Sequence, residues 1–197
     1  FDKEYDELTG RLFFRETHLP EMLRRGRCLV EVEVEKLMMI DSLDMTDADR
    51  HLILENCRQA PETRIVITHG TDRLQFTGEH LVHKLGQSPR VPIVLTGAMR
   101  PYELRTTDAL QNLTEALLAV QLAPPGVYVA MHNQVLRFPG VVKDAKAQRF
   151  LRADRASSED QVDRLRVADQ PRQADGAEVD QRHAEEATED AEGGVLG

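Results

Sequence analysis

At 197 residues, 41% of them apolar, the chain is long enough for one domain of ordinary size with a real core over part of its length. A net charge of −9 and a pI near 5.3 exclude the basic surface that nucleic-acid binding needs, and leave small neutral or zwitterionic ligands open. Cys28 and Cys57 stand in no CxxC or metal-ligand spacing, so they imply neither a disulfide framework nor a zinc site but buried thiols in a reducing compartment. With no apolar run near the roughly 18 residues of a membrane span and no charged-then-apolar leader, the expectation is a soluble, cytoplasmic protein that does not contact membranes.

In chain order, residues 29–38 come first. Val30, Val32 and Val34 alternate with Glu31, Glu33 and Glu35, the period of a half-exposed strand at or near a sheet edge. Capping side chains at 44–47 then precede His51, Leu52, Ile53, Leu54 and Cys57, whose spacing predicts one apolar face of a helix. Residues 64–68 (RIVIT) predict a short strand, His69-Gly70-Thr71-Asp72 a tight turn, and 75–85 a helix. The design repeats with PIVLT at 92–96, the turn Gly97-Ala98-Met99-Arg100-Pro101 and a helix over 108–121; a fourth strand falls at 127–131.

Strands alternating with helices predict an α/β fold, an open parallel sheet with helices on both faces in three layers. In such sheets ligands sit beyond the carboxyl ends of the strands, where loops feed helix N-termini. Four segments converge there: Asp41-Ser42, Gly70-Thr71-Asp72, Gly97-Ala98, and the stretch after the fourth strand that leads to Lys143. They bring hydroxyls, a carboxylate, glycines and an amine to one place.

The series IDSLDMTDADR, IVITHGTD, PIVLTGAMRP, TTDALQNLTEAL, GVYVAMHNQV and VVKD resembles the bacterial-type L-asparaginase family in order and spacing, across residues 1–150. HGTD followed about 25 residues later by TGAMRP is the specific part of the match. The resemblance implies the three-layer flavodoxin-like fold and hydrolysis of L-asparagine to L-aspartate and ammonia through a β-aspartyl-threonine intermediate, without metal or organic cofactor. It implies a homo-oligomer in the intact family member. It also assigns roles to residues. Thr71, Asp72 and Lys143 match a catalytic triad in which lysine and aspartate tune a threonine hydroxyl or its water. Ser42 matches the group that binds the substrate α-carboxylate, Asp72 the partner of its α-ammonium, and Ala98 the backbone carbonyl facing the side-chain amide. The N–H groups of Gly70 or Thr71 suit a tetrahedral oxyanion at a helix N-terminus.

The departures from the family are as specific. The family opens with a central strand ending in Thr-Gly-Gly-Thr, whose last threonine is the nucleophile; Phe1-Asp2-Lys3 resembles the residues directly after it. The expectation is therefore a domain at 1–150 lacking its first strand, which would lie between 29–38 and 64–68 and leave Val66 short of backbone partners. Tyr5 falls in the loop where the family keeps a tyrosine near the nucleophile, and Arg73 places a long cation where a small threonine usually stands.

Each residue also has a plain structural reading. Ser42 and Asp72 suit helix caps, Thr71 a turn, Lys143 a solvated surface amine, and His69 a packing or hydrogen-bonding residue. A non-catalytic amino-acid-binding module that retains Ser42 and Asp72 is the alternative function, and a receiver-like α/β domain fits the strand pattern but not the HGTD and GAMRP turns. Residues 151–197 break with this grammar. From Ala153 on, 13 acidic residues against five arginines account for −8 of the net charge, too polar to offset the entropy of ordering. They predict a disordered acidic tail, with at most a frayed helix over 159–167. An out-of-frame extension accounts for this composition, and an acidic regulatory tail is the other reading.

Overall fold

The structure, a computed structural model, describes residues 1–154; of the tail expected over 151–197, residues 155–197, with the frayed helix, lie outside the described residues. A hairpin of Lys3–Asp6 (β1) and Arg11–Phe14 (β2) opens the fold and leads into a short helix, Leu19–Arg25 (α1). Asp47–Gln59 (α2) starts at a capping box: the Thr46 hydroxyl accepts from the Asp49 N–H, and the Asp49 carboxylate accepts from the Thr46 N–H at 2.7 Å. Then follow Ile65–Thr68 (β3), Leu74–Leu85 (α3), Pro92–Thr96 (β4), Ala109–Leu122 (α4) and Gly126–Met131 (β5). Gln134–Arg137 (β6) folds back on β5, and Val141–Asp144 (β7) pairs with Arg149–Arg152 (β8).

The main sheet runs β3-β4-β5-β6, its first three strands parallel and β6 antiparallel at the edge. Every residue of β4 and β5 is buried, as a strand covered on both faces requires. On one face Val94, Tyr128 and Ala130 meet Ala116, Ala119 and Val120 of α4. On the other, Ile93, Leu95, Val127 and Val129 meet Ile53, Leu54 and Cys57 of α2 and Leu74, Leu81 and Val82 of α3. This is the expected three-layer α/β arrangement. Burial pushes the Cys57 thiol up to about 11, which makes it unreactive; Cys28, also free, is only half-buried.

Packing explains two further features. His132 and Asn133 both take positive φ, 54° and 62°, the backbone that a two-residue turn between β5 and β6 demands. Gly78 of α3 lies under the Phe138 ring: a Cβ there would stand 2.2 Å from Phe138 Cζ. The bare helix backbone thus makes room for the fully buried aromatic that leads into β7.

Two expectations need correction. Residues 29–38 form no strand. Leu29, Val30 and Val32 are exposed, whereas Leu37 and Met38 pack against the core. The alternation describes an extended segment, but a strand also needs a ladder partner, and the neighbouring edge of β3 is separated from this segment by a cavity. The domain boundary at 150 falls inside β8, where Leu151 is buried. Among the described residues β3 pairs only with β4, so Val66 has a ladder partner there on one side alone, as expected. Among the described residues no helix is long and apolar enough to cross a membrane.

Candidate active site

The turn at the carboxyl end of β3 carries His69, Gly70, Thr71 and Asp72 into α3. Three loops close on it, and glycines let them approach. A Cβ on Gly70 would stand 2.6 Å from Ser42 Oγ, and one on Gly97 would stand 2.4 Å from the His69 carbonyl oxygen and 3.1 Å from Thr71 Cγ2. These are positions where only a hydrogen fits.

Lys143, on β7, reaches the turn from 72 residues away in sequence. Its Nζ donates to Thr71 Oγ1 at 2.9 Å and to Asp72 Oδ1 at 2.6 Å. The Lys143 N–H is itself fixed by the Gln75 side-chain oxygen at 2.5 Å, so β7 is docked against the first turn of α3. Thr71 is buried and Lys143 nearly so, while the Asp72 side chain is 47% exposed and faces solvent on one side. The hydroxyl, amine and carboxylate therefore form one connected chain along which a proton can pass.

Ser42, Gly70, Thr71, Asp72 and Ala98 line one cavity of about 680 Å³, together with the strand residues Ile65–Thr68 and the extended segment before Ser42. Ser42 is buried, and its Oγ has no hydrogen-bond partner among the described residues. A buried hydroxyl is normally satisfied; this one is left for whatever occupies the cavity. All six residues expected at a site are thus brought together, five around the cavity and Lys143 through Thr71.

His69 is held away from chemistry. Its Nδ1 lies 2.7 Å from the Gly70 carbonyl oxygen, so Nδ1–H donates there, and Nε2 accepts from the Thr77 hydroxyl at 2.9 Å. Burial lowers its basicity, and both ring nitrogens are spent on structure. The Arg73 guanidinium, beside Asp72 in the chain, lies over the Phe76 ring, 5.2 Å from the centroid. Tyr5 lies on β1, half-exposed and paired with Leu12.

Several contributors were not evident from the sequence. Lys3 pairs with Asp41 next to Ser42 and so fastens the β1-β2 hairpin at the cavity. Burial alone would raise the Asp41 carboxyl, but the Lys3 ammonium and the Leu43 N–H outweigh it and hold it below the usual range. Asp108, ahead of α4, does not cap its helix. Its carboxylate turns back to accept from the N–H groups of Met99 and Arg100, both at 3.0 Å, and stands 2.7 Å from His132 Nε2. Asn112 donates to the Gly97 carbonyl and to Asp108, each at 2.8 Å, and its side-chain oxygen accepts from the His132 N–H. Asp108, Asn112 and His132 thus hold the Gly97–Arg100 loop, with Ala98 at its centre.

Comparison with known proteins agrees with this geometry. The family description "Asparaginase, N-terminal" matches residues 3–154. L-asparaginase of Thermococcus kodakarensis is 42% identical over 72 residues, covering 36% of this chain and 22% of that protein. A glutamyl-tRNA(Gln) amidotransferase subunit of Aeropyrum pernix is 32% identical over 122 residues, covering 60% of this chain and 28% of that protein. The solved structure of the thermostable T. kodakarensis L-asparaginase superposes with a TM-score of 0.64 at 26% identity, over 76% of this chain and 47% of that one. The chain spans less than half of each of these relatives. With the HGTD and TGAMRP turns meeting at one cavity and the family match running the length of the described fold, the chain belongs to the asparaginase family, of which it carries the N-terminal domain.

Proposed function

We propose that the chain supplies the substrate-binding and proton-handling part of an amidohydrolase site that converts L-asparagine to L-aspartate and ammonia. The observation that carries this reading is the contact of Lys143 Nζ with Thr71 Oγ1 and Asp72 Oδ1 at the wall of a cavity that Ser42 and Ala98 also line. A free threonine hydroxyl is barely ionised at neutral pH and needs an adjacent group to take or share its proton. Lys143 stands at that position, and Asp72 holds the amine from the other side. Ser42 Oγ takes the α-carboxylate, Asp72 the α-ammonium, and the Ala98 carbonyl the amide nitrogen. The Gly70 and Thr71 N–H groups steady the oxyanion. The reading uses no metal or organic cofactor in the reaction, and places the substrate among small amino-acid amides.

The attacking hydroxyl belongs, on this proposal, to a strand seated between β3 and the extended segment 32–40. Support comes from the free edge of β3 and the cavity beside it, walled by Ile65–Thr68 on one side and by Val34, Leu37 and Met38 on the other. The test compares ammonia release from L-asparagine by the 197-residue chain and by a version extended with a strand ending in Thr-Gly-Gly-Thr. The extended version should be faster by at least about a thousandfold, the scale of restoring a covalent catalyst. Equal rates would sink the proposal. If both are inactive and L-asparagine binds with heat that Ser42→Ala abolishes, the non-catalytic binding module is the correct reading.

A second activity has an observation in its favour. The relatives include the A. pernix glutamyl-tRNA(Gln) amidotransferase protein, which aligns over 60% of this chain. On that reading the same site releases ammonia from an amide donor for an amidotransferase partner. Ammonia release that depends on such a partner and on glutamyl-tRNA(Gln), and not on free L-asparagine alone, would favour it.

A further inference from the structure

Glu4 on β1, His18 at the N-cap of α1 and Glu103 in the loop between β4 and α4 meet outside the candidate active site. His18 Nε2 lies 3.8 Å from Glu4 Oε1 and 3.7 Å from Glu103 Oε1. These separations are too long for hydrogen bonds and close to those of donors sharing one ion: bonds of about 2.0–2.2 Å at the tetrahedral angle put ligand atoms roughly 3.3–3.5 Å apart. The side chains of His18 and Glu4 are each only 14% exposed. Burying an imidazole beside a carboxylate with no hydrogen bond between them is costly, and a cation between them offsets that cost.

Two further features fit an ion. His18 Nδ1 is buried, has no hydrogen-bond partner among the described residues and faces Asp2 Oδ1 at 3.7 Å. A shift of a few tenths of an ångström lets Nδ1–H donate to that carboxylate, the usual second contact of a metal-bound histidine. A cavity of about 590 Å³ lined by Glu4, Arg15 and Glu103 opens on the cluster and gives an ion and its water a way in. Arg15 Nε stands 4.0 Å from the other oxygen of Glu4 and leaves Oε1 to His18.

We propose that Glu4, His18 and Glu103 bind one divalent first-row cation, with zinc the best match to one imidazole and two carboxylates, and a water from the cavity as fourth ligand. The ion is structural. It ties the β1-β2 hairpin to α1 and to the loop that descends from Ala98. The same segment is already pinned where the Tyr102 N–H donates to the Phe1 carbonyl and where Lys3 meets Asp41 beside Ser42. Occupancy therefore sets how firmly the hairpin is held against the cavity. The site does not depend on the amidohydrolase reading, since none of its ligands touches Thr71, Asp72 or Lys143.

The experiment is calorimetric titration of the chelator-treated 197-residue protein with zinc chloride at neutral pH. The expected result is saturable uptake at one site, weakened at least about tenfold by Glu103→Gln and by His18→Ala, because loss of even an outer contact to a metal ligand costs about 10–100-fold. Glu103 is exposed, so its variant is expected to fold normally, with far-UV circular dichroism as the check. Absence of one-site uptake overturns the proposal. So does parental affinity in a folded Glu103→Gln protein, which would place the ion elsewhere, for example on the acidic residues after Ala153.

Discussion

Lys143 Nζ stands 2.9 Å from Thr71 Oγ1, joining the β7-β8 hairpin to the turn after β3 through one amine. Because the Asp72 carboxylate at the other end of this contact is 47% exposed, water can solvate it if the amine is removed. Lys143→Met should therefore cost little stability, about 1 kcal/mol or less. In a strand-complete version it should lower kcat for L-asparagine hydrolysis by about 10²–10⁴-fold, the range for a lost proton-transfer group. Asp72→Asn should lose turnover on a similar scale, and His69→Gln much less, since both nitrogens of His69 serve the fold. Parallel urea denaturation and steady-state kinetics check this. A Lys143→Met enzyme with parental kcat would remove the amine from the mechanism.

Close approach at Gly97 gives a second expectation. A Cβ there meets the His69 backbone oxygen at 2.4 Å, and backbone cannot rotate away as a side chain can. Gly97→Ala should force the turn after β3 away from the Ala98 loop and cost about 1–3 kcal/mol, with ligand affinity falling at the same time. Gly78→Ala clashes with a buried ring, 2.2 Å from Phe138 Cζ, and should cost at least as much while sparing the turn. Thermal unfolding combined with L-aspartate titration separates the two. Equal loss of affinity in both variants would mean that Gly97 has no special role at the cavity.

Asp108 provides a pH test. Burial pushes its carboxyl up, but the Met99 and Arg100 N–H groups and His132 outweigh burial and leave it below the ordinary carboxylate value of about 4. A group with a depressed folded pKa contributes stability that is present above the unfolded value and is lost as pH falls through the folded one. Asp108→Asn should thus be less stable than the parent by about 1–3 kcal/mol at pH 7, the cost of a broken charged hydrogen-bond set. The gap should narrow below about pH 4 as the parent's carboxylate takes up its proton. Denaturant melts at about pH 7, 5 and 3.5 measure it, and a gap that stays constant across that range would refute the role of ionisation.

How much of this was legible in the sequence follows from which signals are local. The apolar runs IVIT, PIVLT and GVYVAM announce β3, β4 and β5; β4 and β5, covered on both faces, are buried throughout, and β3 is half-buried. The capping side chains at 44–47 likewise mark the start of α2 locally, with Thr46 as its N-cap. Of the six expected site residues, Gly70, Thr71, Asp72 and Ala98 follow the carboxyl ends of β3 and β4, where α/β topology gathers them, whereas Ser42 follows the extended segment and Lys143 comes from β7. The short hairpins escaped, because β1, β2 and β6–β8 are four residues each and too brief for a period to show. The β5-β6 turn uses His132-Asn133 in place of the usual glycine signal. Residues 29–38 show the reverse case: a clear period of two, but no partner strand to turn extended backbone into a ladder. Asp108 escaped for yet another reason, since only the return of the Gly97–Arg100 loop reveals what its carboxylate holds.

The free edge of β3 makes the last prediction. The His69 N–H donates to the Thr96 carbonyl of β4 at 2.8 Å. Along a parallel strand, alternate residues direct both backbone groups to the same neighbour, so Ile65 and Ile67 share the side of His69, while Val66 and Thr68 present theirs to the cavity. Backbone amides without a ladder partner open to solvent at little cost, whereas those inside a sheet exchange only through larger unfolding. Hydrogen exchange followed by NMR on the 197-residue chain should therefore show Val66 and Thr68 exchanging far faster than Ile67, although the three are consecutive and similarly half-buried. In the version extended by a strand ending in Thr-Gly-Gly-Thr, both amides should become as protected as Ile67, and the melting temperature should rise with them. Slow exchange at Val66 and Thr68 in the unextended chain would show that something already covers this edge, and the cavity beside β3 would then not be the seat of a further strand.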